Sequence, residues 1–213
     1  MKKELSFYEF VGVIAPGSVL LIILVYLFPG SLKTLEVKQL SMGGLAVFII
    51  IAYVFGHLIQ TIGNLLEIVY WKLWGGIPSF WITKGERCDY LSSEQVQSIP
   101  TKIATSLKME IKMPLSNFNN KQWIAITRQI YAAIKQADAT ERLDIFNGNY
   151  GLFRGVAASF ASGLIVMTIK TGFLHYEFQL LIAVCFILAI IRMHRFATHY
   201  ARELFVQFLQ LKE

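Results

Sequence analysis

The sequence predicts an all-α, polytopic membrane protein with four transmembrane helices and a small helical cytoplasmic region. Three observations lead to this fold class: an apolar composition, four long uncharged runs, and an uneven distribution of basic residues between them. Of the 213 residues, 55% are hydrophobic and only 16% are charged, and the mean hydropathy is +0.52. Soluble domains carry about 25% charged residues, and disordered chains combine high charge with low hydrophobicity. The composition therefore excludes a disordered chain and argues against an ordinary soluble enzyme.

The first two spans are long enough to cross a bilayer unaided. Residues 10–28 form a run of nineteen without a charge, and residues 42–66 form a run of twenty-five that holds His57, Gln60 and Asn64. A bilayer core requires about 20 residues of helix. No small-x-small cleavage pattern follows Phe28-Pro29-Gly30, so we interpret the first run as a span and not as a signal peptide.

The third and fourth spans are shorter and form a hairpin. Residues 155–169 lie between Arg154 and Lys170, and residues 178–191 lie between Glu177 and Arg192. Lys and Arg at a helix end extend their charged groups to the interface and so lengthen a span. The two runs are therefore predicted to complete a set of four spans.

Basic residues set the predicted orientation. With four spans, seventeen Lys and Arg lie on the side that holds both termini and the central segment, and three lie on the other. The positive-inside rule places both termini in the cytoplasm, as in a multi-pass protein of a bacterial inner membrane. Three segments follow: residues 1–74, a two-span hairpin whose second helix extends into the cytoplasm; residues 75–153, a helical collar; and residues 154–213, a second hairpin with a cytoplasmic helix. The net charge of +6 needs no nucleic acid to explain it, since orientation and anionic lipid suffice.

The collar is predicted to hold three helices. Residues 74–81 are typical of a turn with an interfacial aromatic belt. Ser92 and Gln95 form a capping box that starts a helix ending near residue 111. A second helix covers about residues 120–135, and a third begins near Asp138 or Thr140 and runs into the third span. The second helix carries an apolar stripe of Trp123, Ile126, Ile130 and Ile134.

Small residues and the chain end make further predictions. Ala157-x3-Ala161 and Ser159-x3-Gly163 predict a packing face on the third span, and Pro16-Gly17 predicts a kink in the first. Residues 192–212 continue the fourth span with an apolar stripe. That stripe requires a partner: the end of the second span, the collar, or a neighbouring protomer.

Two polar stripes are the most informative pattern. His57, Gln60, Asn64 and Glu67 recur at i, i+3, i+7 and i+10 on the second span, and Arg192, Arg195, His199 and Arg202 repeat this spacing at the end of the fourth. We predict that the stripes face each other, with Glu67 near Arg202 or Arg195. Ionisable groups at membrane depth face a bundle interior or a water-filled path, so two interpretations stay open: an inter-helix network or the lining of an oligomeric pore.

Signals for catalysis are sparse. Arg192-x6-His199 fits the loosest form of the R-x4-6-H motif of HEPN ribonucleases, in which Arg stabilises a phosphate and His transfers protons. Walker, nucleophile-elbow and zinc-protease motifs are absent from the sequence. We expect no enzyme activity, no cofactor and no metal site, and we interpret Cys88 and Cys185 as free thiols.

The sequence also resembles a loose family of small bacterial four-span proteins. The shared marks are Phe7-Tyr8-x-Phe10 with Pro16-Gly17, Tyr53-x-x-Gly56-His57, and Arg195-Phe196 with Tyr200. Proteins of this kind are membrane accessories and effectors of anti-phage defence, including those encoded beside type VI-B CRISPR nucleases. The resemblance implies an oligomer that depolarises or permeabilises the inner membrane when infection is sensed. It also implies that Arg192 and His199 match a divergent HEPN-like motif.

The leading functional hypothesis is an oligomeric inner-membrane pore or membrane-perturbing effector in anti-phage defence. The expected partners are the lipid bilayer, further copies of the chain, and a cytoplasmic defence protein or nucleic acid on the basic collar. Two alternatives stay open. One is a non-conducting scaffold that docks a cytoplasmic nuclease or sensor, and the other is a membrane-tethered HEPN-like ribonuclease.

Overall fold

The computed structural model describes residues 7–29, 42–85, 89–109 and 114–211, and all regular structure within these ranges is helical. Within this part of the chain, four helices are long and apolar enough to cross a membrane, which confirms the predicted fold class. Cys88 lies outside the described residues. The helices are α1 (Phe7–Leu27), α2 (Met42–Leu73), α3 (Pro78–Lys84), α4 (Ser93–Ser106), α5 (Asn120–Gln136), α6 (Glu141–Thr171) and α7 (Tyr176–Gln210), with a 3₁₀ turn at Leu115–Asn117.

The chain divides into two compact units, each made of two segments. The span unit comprises Met1–Val69 and Gly148–His194, and the collar unit comprises Tyr70–Asn147 and Arg195–Glu213. Helices α2, α6 and α7 contribute residues to both. The predicted segments follow chain order, whereas the collar unit takes in the end of α7.

Small residues bring the helices of the span unit together. A methyl group added at Gly17 on α1 would collide with the Ala52 carbonyl on α2, and one added at Gly56 would collide with the Val13 carbonyl. On α6, Ala157 and Ala158 are fully buried. The Ser159 hydroxyl donates to the Pro16 carbonyl at 2.7 Å. The face predicted on the third span from its small residues is thus a helix contact.

The core of the collar unit is built from large side chains. Trp123 is fully buried and donates its indole N–H to the Ser79 carbonyl at 2.7 Å. All four residues of the predicted α5 stripe are buried, and the end of α7 packs against them. The apolar stripe at the end of α7 therefore packs against the α5 stripe in the core of the collar unit. The other buried members of this core are Phe80, Ile82, Leu91, Ile99, Ile103, Leu143, Leu204, Phe205 and Phe208.

Caps fix the ends of the collar helices. The predicted box is present at α4: Gln95 N–H donates to the Ser92 hydroxyl, and Ser92 N–H donates to the Gln95 side chain at 2.9 Å. The α4 helix ends at Ser106, short of the predicted residue 111, because Lys108 adopts a left-handed φ of 52° that stops a helix. The α6 helix begins at Glu141 and continues unbroken to Thr171, as predicted.

One helix was missing from the prediction. Residues 74–81 were expected to form a turn, and the chain does turn at Gly75 and Gly76, where φ is positive. Pro78 then starts α3, because proline suits the first helical position. The indole N–H of Trp81 donates back to the Gly76 carbonyl at 3.0 Å, which holds this short helix against the turn.

Candidate functional site

A polar network centred on Arg154 lies within the span unit. Arg154 projects from α6, and its Nη1 donates to the Glu67 carboxylate on α2 at 2.5 Å. Its Nη2 donates to the Gln60 side-chain oxygen, also on α2, at 3.1 Å. The guanidinium therefore holds two members of the first predicted stripe, and Glu67 finds its cation on the third span.

Gln60 extends the network to a third helix. Its Nε2 donates to the Gly12 carbonyl of α1 at 2.8 Å and to the Gly151 carbonyl of α6 at 3.2 Å. One amide thus contacts α1 and α6 while its oxygen accepts from Arg154. Polar side chains that bond across helices are an established source of cohesion in membranes, so Gln60 and Arg154 tie α1, α2 and α6 together.

Glycines make room for these side chains. A methyl group added at Gly155 would lie 2.7 Å from the Gln60 amide nitrogen, and one added at Gly63 would lie 3.3 Å from Arg154 Cγ. Ordinary carbon contacts are longer. A methyl group at Gly155 would therefore displace Gln60 or Pro16, whereas one at Gly63 would require Arg154 to move by a few tenths of an ångström.

The ion pair between Arg154 and Glu67 is only partly shielded from solvent. The side chains of Arg154 and Glu67 are 21% and 24% exposed, and the Arg154 Nε is buried with no hydrogen-bond partner among the described residues. A pair in this setting neutralises two charges that would each be costly alone. The first role of the ion pair is to allow two charged side chains to lie within an apolar helix bundle.

The partner of Glu67 differs from the sequence prediction. We expected Arg202 or Arg195, and the structure pairs Glu67 with Arg154. From the sequence, Arg154 had been assigned only the role of a charged residue at the border of the third span. A signal beside it was the glycine pair Gly151 and Gly155, one turn apart on α6, since the Gly151 carbonyl accepts from Gln60 and Gly155 lies against it.

The other half of the first stripe faces outward. His57 and Asn64 are exposed, and the His57 ring meets the Tyr53 ring edge-on at 4.6 Å. Among the described residues, the Asn64 amide has no hydrogen-bond partner. Residues seven apart share a helix face, whereas residues three apart are turned by about 60°. The stripe therefore splits into an inward pair, Gln60 and Glu67, and an outward pair, His57 and Asn64.

The second stripe is divided between the units. Arg192 belongs to the span unit, and its guanidinium lies 5.3 Å from the Phe153 ring centroid. In the collar unit, Arg195 Nε donates to His199 Nε2 at 3.3 Å, and the His199 ring stacks on Phe146. Arg202 is half-buried. The suggested catalytic residues, Arg192 and His199, thus each have a contact within their own unit.

Sequence reasoning also missed a buried acid beside this stripe. Glu203 is 4% exposed, accepts from the Gln207 amide at 2.8 Å, and lies 3.6 Å from Arg142. In the described ranges, no group of three or more His, Cys, Asp or Glu is arranged to hold a metal. Through Arg142, Glu203 links α7 to α6 within the collar unit.

The surroundings of Tyr131 in the collar unit raise the pKa of this side chain. Burial, and then the hydrogen bond that Tyr131 donates to Asp144 at 2.7 Å, raise the pKa of Tyr131 to about 12. Tyr131 therefore stays a neutral donor up to strongly alkaline pH, and it joins α5 to the start of α6.

No family model, curated protein or solved structure matches this chain. The Arg154 network suits charge neutralisation and helix locking, and it leaves His57 and Asn64 on the outer face of α2 with no such role.

Proposed function

We propose that the protein is an oligomeric pore or membrane-perturbing effector of a bacterial inner membrane, with both termini in the cytoplasm, acting in anti-phage defence. The observation that carries this proposal is the outward polar face of α2. His57, Thr61 and Asn64 are all exposed, and all lie inside the apolar run of residues 42–66. Polar groups at this depth are costly against lipid and usually face a bundle interior or a water-filled path.

The division of the α2 stripe supports the pore over a simple lock. Gln60 and Glu67 already join the helices through Arg154. His57 and Asn64 contribute no hydrogen bond to this lock among the described residues. In an oligomer they would line a hydrated path. The seventeen-to-three distribution of basic residues supports the orientation, and the family resemblance supports the role in defence.

Planar-bilayer recording tests the proposal. Purified protein is expected to give stepwise single-channel currents across a voltage series, and the double variant His57→Leu/Asn64→Leu is expected to lower the unit conductance because it removes the polar lining. Leu58→Val/Ile62→Val is the matched control: both residues are exposed at the same depth of α2 but lie off the polar face. Its conductance should equal that of the wild type. A correctly assembled wild type that passes no current, with or without added RNA, would contradict the pore.

A cleft in the collar unit favours a second function, a scaffold that docks a cytoplasmic nuclease or sensor. The cleft has a volume of about 810 Å³ and lies at the C-terminal turns of α4, α5 and α7. Ser106 Oγ is buried there with no hydrogen-bond partner among the described residues. The polar residues that line the cleft are Thr105, Ser106, Lys108, Gln136, Gln207 and Gln210.

The scaffold makes the opposite prediction from the pore. A soluble partner should co-purify with the wild type and be lost in Ala133→Trp, which fills the cleft, while vesicles stay tight. Leakage with no stoichiometric partner would exclude it.

A further inference from the structure

The collar unit exposes little apolar surface, and most of it lies at one corner. Among the described residues of this unit, three large apolar side chains are exposed: Leu73 at 80%, Trp74 at 39% and Ile124 at 38%. Leu73 and Trp74 are adjacent, at the point where α2 ends, whereas Ile124 stands alone on α5. The neighbouring rings of Trp71 and Trp81 are buried. The exposed pair at the end of α2 is therefore the main apolar patch on the described surface of the collar unit.

Two lysines border this corner. Lys72 and Lys84 are both exposed. Gly75 links them, because its N–H donates to the Lys72 carbonyl at 3.4 Å and its carbonyl accepts from Lys84 Nζ at 2.6 Å. A lysine ammonium group has three donors, so Lys84 keeps donors for a further acceptor. The corner thus combines an apolar tip with two cations, which suits a partner that is both acidic and amphipathic.

The length of α2 places this corner at a bilayer surface. The 32 residues from Met42 to Leu73 extend about 48 Å at about 1.5 Å per residue. A bilayer is about 30 Å thick across its hydrocarbon and about 40–45 Å thick with its headgroups, so α2 is long enough to cross both. Leu65, Val69 and Leu73 recur every four residues on one face of α2 and are 62%, 63% and 80% exposed. This apolar face continues to the end of the helix, which then lies in the headgroup layer.

We propose that the corner formed by Lys72, Leu73, Trp74 and Lys84 binds an anionic phospholipid of the cytoplasmic leaflet. The two lysines bind its phosphate, and Leu73 and Trp74 contact the upper part of its acyl chains. Tryptophan is typical of the boundary between headgroups and acyl chains, and lysine near that surface is attracted by anionic lipid. An acidic protein would also match the lysines, but the bilayer that α2 crosses already reaches Leu73. The inference takes from the proposed function only the membrane setting and the orientation.

Fluorescence quenching by brominated lipid tests the site in the full chain. Of the four tryptophans, Trp74 alone is exposed. The protein is reconstituted in vesicles of phosphatidylcholine and phosphatidylglycerol, in which an equal fraction of one lipid or the other carries bromine on its acyl chains. Brominated phosphatidylglycerol should quench the fluorescence more strongly, and Trp74→Phe should remove most of this excess. Equal quenching by the two lipids, or an excess that Trp74→Phe leaves undiminished, would overturn the proposal.

Removal of the two charges is the second test. In Lys72→Gln/Lys84→Gln, the preference for phosphatidylglycerol over phosphatidylcholine should fall about fivefold for each lysine lost, the equivalent of about 1 kcal/mol each. Lys72→Arg/Lys84→Arg should retain the preference. Lys121→Gln/Lys135→Gln is the matched control, because it removes two exposed lysines of the same unit from α5. If the control lowered the preference as much as the corner variant, the charge of the whole collar would explain it and the site would be overturned.

The pore and the lipid site fail separately. Each variant is first compared with the wild type for its resistance to SDS, so that a loss of quenching reports lipid contact and not unfolding. Excess quenching without bilayer currents would support the lipid site and remove the pore. Currents without excess quenching would leave the pore and overturn the lipid site.

Discussion

The two units hold their helices together by different means. In the collar unit, large side chains fill the centre, with Trp123, Phe205 and Phe208 fully buried. In the span unit, α1 and α2 approach so closely that Gly17 lies against the backbone of the next helix. The collar core depends on large side chains that fill it, whereas the contact between α1 and α2 depends on the absence of a side chain at Gly17.

The surroundings explain this difference. Water drives large apolar side chains together in the collar. Lipid gives no such drive, so membrane helices associate through close backbone approach and hydrogen bonds between helices. A substitution that removes atoms should therefore damage the collar unit most, and one that adds a single carbon should damage the span unit.

The largest effect is expected from Trp123→Ala. It removes a fully buried ring and its hydrogen bond to the Ser79 carbonyl, and such truncations cost about 3–5 kcal/mol. The free energy of unfolding in mixed micelles and the rate of proteolysis within residues 89–147 measure it. Ile124→Ala is the control, because Ile124 is 38% exposed on the same helix. A Trp123 variant as stable as this control would contradict the assigned core.

A smaller effect is expected from one added carbon at Gly17. Gly17→Ala places a methyl group against the Ala52 backbone, and overpacking of this kind costs about 1–3 kcal/mol. Gly12→Ala is the matched control on the same helix, since nothing lies within 4 Å of the added carbon. That control should be neutral or gain about 0.5–1 kcal/mol of helix stability. Unfolding of the two variants by SDS distinguishes them. Equal stability against SDS would disprove the close contact between α1 and α2.

The smallest of the three effects belongs to the ion pair. Arg154→Met and Glu67→Leu should each cost about 1–2 kcal/mol, because each leaves a partly desolvated charge without its partner. Because both side chains are partly exposed to solvent, the loss of stability is smaller than for a fully buried ion pair. The double variant should lose less than the sum of the two, by about 0.5 kcal/mol or more. Strict additivity across this double-mutant cycle would show that the pair does not act as a unit.

The sequence predicted those parts of the fold that depend on local pattern. The α5 stripe around Trp123 and the capping box at Ser92 are periodic or short-range signals, and the structure has both. The helix end at Ser106 was not predictable in the same way. It follows from the left-handed backbone at Lys108, a conformation that glycine adopts far more readily than lysine.

The candidate site was only half predictable. Periodicity identified Gln60 and Glu67 as helix-facing polar residues, but it has no information about which cation lies on another helix. Arg154 also borders a span, so its charge had a sufficient explanation in topology. Distinguishing these roles required the distance between α2 and α6, which depends on Gly63 and Gly155.

The composition of the collar has a consequence for the synthesis of the protein. Its core needs Leu204, Phe205 and Phe208, and Lys102 donates to the Leu211 carbonyl across 109 residues of chain. The ribosome makes α4 and α5 well before it reaches these residues. Until then, Trp123 and Ile130 lack part of the apolar surface that covers them in the folded chain. The core of the collar unit can therefore be completed only after the fourth apolar helix has been translated.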